Sequence, residues 1–184
     1  MGGMASVHLA RLVAEGGFAR TVAIKRLLPQ LAKDPEFSSM FMQEAQLAAR
    51  IRHPNVVPTL DVVATDEELF LVMEYVHGES LAQLSRLASK AGEVMPRAVL
   101  SSVLSSALQG LHAAHEATNE RGEPLGLVHR DVSPQNVLVD VDGVTRVIDF
   151  GVAKAASSGH STRAGQVKGK IKYMAPEQVL GTLM

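Results

Sequence analysis

The chain has 184 residues, 46% of them apolar, and a formal net charge of -1. That balance gives no electrostatic case for a nucleic-acid or membrane-surface partner. The absence of cysteine excludes disulfides, thiolate zinc sites and thiol catalysis, and it fits a reducing, intracellular compartment.

The length suits one domain, or two small lobes sharing a cleft. No apolar run reaches the length of a membrane span, and there is no signal-peptide pattern, internal repeat or low-complexity tract. The first third reads as β structure. Strands are expected at Ser6–Val13 and Phe18–Leu27, joined by the Gly16-Gly17 turn. A helix should then start at Asp34-Pro35-Glu36. Asp34 suits the cap, Pro35 the first turn and Glu36 the positive end of the dipole. It should run to about Arg50 and stop before Pro54, which pushes His53 out of the helical region. Two further strands, Val56–Val63 and Leu69–Val76, flank a polar turn at Thr65-Asp66-Glu67. After Gly78 the period becomes helical, over Ser80–Ala91 and Pro96–Glu116. The second of these helices carries Val99, Leu100, Val103, Leu104, Ala107, Leu108 and Leu111 on one face. His112 and His115 share a face of it and are read as solvated, since no third metal ligand accompanies them. Residues 117–124 form a polar loop. A hairpin is expected from Val137–Val141 and Val144–Ile148 around Asp142-Gly143. From Ala155 to Gly169 there is no period, and the stretch reads as a loop.

Five short words stand along this frame: VAIK at 22–25, HPN at 53–55, HRDVSPQN at 129–136, DFG at 149–151 and APE at 175–177. Their order and structural contexts make the chain resemble the eukaryotic-like Ser/Thr protein kinases of bacteria, over nearly its whole length. The resemblance implies an α+β, two-lobed fold. Residues 1–74 would form a β-rich N-lobe with one helix, 75–78 a hinge, and 79–184 part of a helical C-lobe. It also implies ATP-dependent phosphoryl transfer to protein Ser or Thr hydroxyls with ATP and Mg²⁺, in the cytoplasm. Such catalysis rests on positioning and charge neutralisation.

Roles follow from the resemblance, residue by residue. Lys25 would reach the α- and β-phosphates, aimed by an ion pair with Glu44. Asp131 would accept or orient the proton of the substrate hydroxyl. Asn136 and Asp149 would hold the metal with oxygen ligands. Glu74 and Val76 would offer backbone groups to the adenine, with Met73 guarding the pocket behind. Val7, Ala23 and Leu138 would cover the faces of the ring. His129 is expected to pack beneath Phe150 rather than act as a base. Ser157, Ser158, Ser161 and Thr162 are candidate phosphorylation sites in the loop before APE, with Arg130 placed to receive a loop phosphate.

Three departures from the family pattern stand out. Ser133 replaces the catalytic-loop lysine that touches the γ-phosphate. Lys170 stands where a threonine usually follows the glycine; either the missing cation has moved there, or Lys170 is only a basic loop residue meeting substrate or solvent. At the start, Gly2 fits the second glycine of the glycine-rich loop, Ala5 replaces the third and Val7 closes it. MGGMAS also matches a myristoylation pattern, which is less well connected to the rest of the chain. The chain looks incomplete at both ends, so weak ATP-Mg²⁺ binding and poor phosphorylation are expected of it alone. Pro134 and the Met-Ala-Pro-Glu run favour Ser/Thr over Tyr. Two rivals remain at this point: an impaired nucleotide-binding or scaffold module, and a kinase acting on a small molecule. The peptide platform implied by APE argues against the second rival.

Overall fold

Why the first half becomes a sheet is visible in strands β1 (Ala5–Val13) and β2 (Ala19–Leu27) of the computed structural model. The model describes residues 5–14, 16–65, 68–150 and 171–180, with the side chains of Glu36, Met40, Glu44, Ile171 and Leu180 outside that set. β2 is a central strand, lying between β1 and β4 (Leu69–Glu74), with β3 (Thr59–Ala64) beyond β4, and its Val22 and Leu27 are buried. All three pairings are antiparallel. The register sets Val7 opposite Lys25, and Ala23 opposite both Leu9 and Met73. Directly opposed residues point to one face, so Val7, Ala23, Lys25 and Met73 share it.

Helix α2 (Pro35–Ala48) packs on this sheet, after a four-residue turn of helix, α1 (Pro29–Ala32). The Phe37 amide donates to Asp34 Oδ1 at 3.3 Å, the cap that the Asp-Pro-Glu run implies. Phe37, Phe41 and Ala45 recur every four residues and bury against Leu27, Leu69 and Leu71, making an upper core.

The second half is built on a three-stranded sheet ordered β5 (Gly78–Ser80), β6 (Val137–Asp140), β7 (Thr145–Val147), with helices α3 (Leu81–Lys90) and α4 (Arg97–His115). Ser80 caps α3 by accepting from the Gln83 amide. A lower core gathers Ile51, Val56, Leu81, Val103, Ala107, Ala114, Val137, Val147 and Phe150. The chain closes with a short helix, α5 (Pro176–Leu180).

Several expectations need correction. Val56 is not in a strand; it makes a lone parallel bridge to Val147, and β3 starts at Thr59. The preceding Asn55 explains this: its Nδ2 donates to the Thr145 carbonyl at 2.7 Å, holding the segment to β7 instead. β5 was not foreseen. Gly78 makes it possible, because a Cβ there would stand 2.2 Å from the Val139 carbonyl oxygen. On α4 the buried stripe is Val103, Ala107, Gly110 and Ala114, while Val99, Leu104 and Leu108 are exposed. Small residues are needed there because the Asn55 backbone lies against the helix.

A Cβ on Gly110 would sit 2.5 Å from the Asn55 carbonyl oxygen. Gly110→Ala is therefore expected to destabilise the fold by about 1–2 kcal/mol, the overpacking outweighing the helix propensity that alanine gains. Chemical denaturation of parent and variant checks this; a stabilised variant would contradict the packing.

Candidate active site

The loop between α4 and β6 brings three groups into fixed relation. Arg130 holds φ at 57°, a left-handed conformation unusual for a residue with a side chain. On one side of it His129 is 2% exposed, its ring tilted against Phe150 with centroids 4.8 Å apart. His129 Nε2 lies 2.9 Å from the Ile148 carbonyl oxygen, and the Asp131 amide donates to His129 Nδ1 at 3.2 Å. Only the neutral ring with its proton on Nε2 satisfies both partners. On the other side, Asn136 is buried at the end of a 3-10 turn (Pro134–Asn136), and its Nδ2 donates to the Asp131 carbonyl at 2.8 Å and to Asp131 Oδ2 at 3.1 Å. The Ile148 amide donates to the Asn136 carbonyl at 3.0 Å, which ties this loop to the residue before Asp149.

Asp149 also has a left-handed backbone, φ 60°. Its Oδ1 is 2.7 Å from Lys25 Nζ, across 124 residues of sequence. The lysine side chain is 14% exposed and the carboxylate 28%, so the pair is largely withdrawn from water. Lys25 and Asp149 thus form one side-chain pair and Asp131 and Asn136 another, and the Ile148–Asn136 backbone bond ties the two. Val57, Leu71, Met73, Asp149 and Phe150 line a small pocket beside the first pair. Val7 and Ala23 share the sheet face that carries Lys25. Leu138 lies in the other sheet, across β6 from Ser80 and Arg146. The Glu74 amide donates to the Pro58 carbonyl at 3.0 Å, at the end of β4. Val76 is buried just beyond it. Lys25 was expected to pair with Glu44; α2 carries Glu44, but its side chain lies outside the described residues. So do Gly2, Lys170, Ser157, Ser158, Ser161 and Thr162.

The protein kinase domain model matches residues 1–183. The chain belongs to the protein kinase family. A tyrosine-protein kinase of Myxococcus xanthus, MasK, is 47% identical over 180 residues, which cover 98% of this chain and 28% of that protein. The Ser/Thr-protein kinase PknB of Mycobacterium tuberculosis is 36% identical over 186 residues, covering 98% and 27%. The crystal structure of the M. tuberculosis PknI kinase domain superposes with a TM-score of 0.64 at 32% identity, over 82% of this chain and 55% of that one. The chain therefore spans about a third or less of the curated relatives it matches.

Two contacts of this domain were missed in the sequence, the first without any local signal. Arg146 Nη1 binds Glu74 Oε1 at 2.9 Å, and its Nη2 lies 3.5 Å from Asp140 Oδ2, joining the end of β4 to the lower sheet. The partners are 72 residues apart, and nothing local announces them. Gln178 Nε2 donates to the Arg130 carbonyl at 2.8 Å. Its place as third residue of a helix opened by Pro176 is a capping pattern that could have drawn notice. Among the described residues no helix is long and apolar enough to cross a membrane.

Burial pushes the His129 imidazole below its ordinary value of 6.5, outweighing the upward pull of the Ile148 carbonyl and of the Asp131 and Asp149 carboxylates. Between the folded value and 6.5 the unfolded chain binds more protons than the folded one. The contribution of the neutral ring to stability is present above 6.5 and lost as pH falls through the folded value. The stability gap between the parent and His129→Phe should accordingly narrow from about pH 7.5 to about pH 5, as read by denaturant unfolding across that range. A gap independent of pH would show that the ring is not held neutral.

Proposed function

We propose that this domain transfers the γ-phosphoryl group of ATP to Ser or Thr hydroxyls of a protein. The observation that carries the proposal is the linkage of the Lys25–Asp149 pair to the Asp131–Asn136 pair through the Ile148–Asn136 backbone bond. Lys25 binds and aims the α- and β-phosphates. Asp131 takes or orients the proton of the acceptor hydroxyl while the γ-phosphoryl passes to its oxygen and ADP leaves.

The donor set fits Mg²⁺. Asn136 commits its Nδ2 to Asp131, so Oδ1 is the atom left for a hard cation, beside the Asp149 carboxylate. Among the described residues no group of three or more His, Asp or Glu could hold a metal alone. Phosphate oxygens and water must supply the other ligands, as magnesium prefers. When bound, the ion neutralises phosphate charge. The adenine-binding roles of Val7, Ala23, Glu74, Val76 and Leu138 are part of the same proposal.

Ser/Thr choice draws on Pro134 and the Met-Ala-Pro-Glu run and on relatives such as PknB; MasK carries the name of a tyrosine-protein kinase. Phosphoamino-acid analysis of a labelled protein substrate decides: phosphoserine or phosphothreonine is expected, and phosphotyrosine alone would overturn the assignment.

A second reading, a nucleotide-binding module with impaired catalysis, has one observation in its favour. Ser133 brings no charge to the loop, is 4% exposed, and its Oγ has no hydrogen-bond partner among the described residues. Our reading gives the missing cation to Lys170. Lys170→Ala should then lower the transfer rate by about 10²-fold, and Ser133→Lys should restore part of it in the double variant. An unchanged rate in Lys170→Ala removes that role.

A further inference from the structure

The peptide between Arg130 and Asp131 is gripped at both of its polar atoms. Its N–H, on Asp131, donates to His129 Nδ1 at 3.2 Å. Its C=O, on Arg130, accepts from Gln178 Nε2 at 2.8 Å. Arg130, which leads into this peptide, has φ 57°, a conformation that an L side chain leaves unless its surroundings hold it. Rotation of this peptide would swing the Asp131 side chain, because the peptide plane is rigid and only φ and ψ can absorb the change.

Gln178 is itself held. Its Oε1 accepts from the Ala175 amide at 3.1 Å, reaching back from the third helical position of α5 to the residue before the helix. That is one half of a capping box. The two partners settle the orientation of the amide: Ala175 offers a donor and Arg130 an acceptor, and only a carboxamide with oxygen on the first and nitrogen on the second satisfies both. Glutamate could serve Ala175 but has no proton for Arg130. Lysine could serve Arg130 but not Ala175.

We propose that Gln178 is a positioning residue for Asp131, a latch by which the segment carrying Ala175-Pro176-Glu177 fixes the peptide that aims the loop carboxylate. The inference rests on the role of Asp131 proposed above. It gives the APE helix a direct hydrogen-bonded hold on the catalytic loop, so that ordering of α5 and the pose of Asp131 are coupled.

The test uses the parent chain, Gln178→Glu, which keeps the acceptor for Ala175 and loses the donor, and Gln178→Met, which loses both. Steady-state transfer is measured at varied ATP, and amide exchange of Asp131 is followed by NMR. In both variants kcat should fall about tenfold, KM for ATP should stay within about twofold, and Asp131 exchange should quicken about tenfold. A role confined to capping α5 predicts instead that Gln178→Glu rescues kcat where Gln178→Met does not, and that result overturns the proposal. So does a kcat unchanged in both variants, or Asp131 exchange unchanged in Gln178→Glu. If the parent itself transfers no phosphate, the kinase reading of this chain fails, and Asp131 exchange alone decides the latch: quicker in Gln178→Glu supports it, unchanged refutes it.

Discussion

Asp131→Asn is expected to lower the rate of phosphoryl transfer by about 10²–10⁴-fold while leaving the fold intact. The substitution is nearly isosteric. Asn136 Nδ2 meets both the Asp131 carbonyl and Oδ2, and an asparagine oxygen at that place accepts the same hydrogen bond. The Asp131 amide keeps its partner on His129, because the backbone does not change. What disappears is the charge and basicity that, in the role proposed for Asp131, draw the proton from the acceptor hydroxyl. Turnover at saturating ATP, beside a melting curve that coincides with the parent's, checks the claim. A rate within about threefold of the parent's would mean that Asp131 does not handle that proton.

The second large effect concerns Lys25 and Asp149. Lys25→Met should reduce kcat/KM by about 10²–10³-fold, since a fixed charge is lost where phosphate charge must be met. It should also destabilise the ligand-free chain, because it strands a carboxylate that is only 28% exposed. Asp149→Asn strands the ammonium in turn. Removing both should cost less than the sum of the single changes, with a coupling of about 1 kcal/mol, the pair being partly wet. Denaturant unfolding of the four proteins reads this without any need for activity. Additive costs would show that the 2.7 Å contact contributes nothing.

How much of this could be read from the string depends on the range over which each feature is determined. The Asp142-Gly143 turn was legible because Gly143 alone there supplies a positive φ, 82°. The start of α2 was legible because Asp34, Pro35 and Glu36 act within one turn. The catalytic words were legible because their chemistry demands given residue types at given spacings. Features set by approach of distant backbone were not. β5 exists because Gly78 lets Val139 come close, and three residues carry no period. The α4 stripe was legible in part: Val103 and Ala107 are buried and Leu100 and Leu111 pack on the core, whereas Leu104 and Leu108 are exposed and the small Gly110 and Ala114 are buried as well. α1 has four residues, too few for any pattern. Arg146 and Glu74 meet only once the sheets are placed.

One such distant contact bears on how the domain can move. Val147 in β7 donates its amide to the Asn55 carbonyl at 2.8 Å and accepts from the Val57 amide at 3.0 Å. By backbone, the upper sheet is thus joined to the lower body at two places, covalently after β4 and by this clasp at residues 55–57, with the Lys25–Asp149 and Arg146–Glu74 ion pairs as side-chain contacts besides. A part pinned at two points can rock about the axis through them and resists twisting off it. Opening of the cleft should follow that single axis, with Asp149, two residues past the clasp, close to the pivot and travelling least.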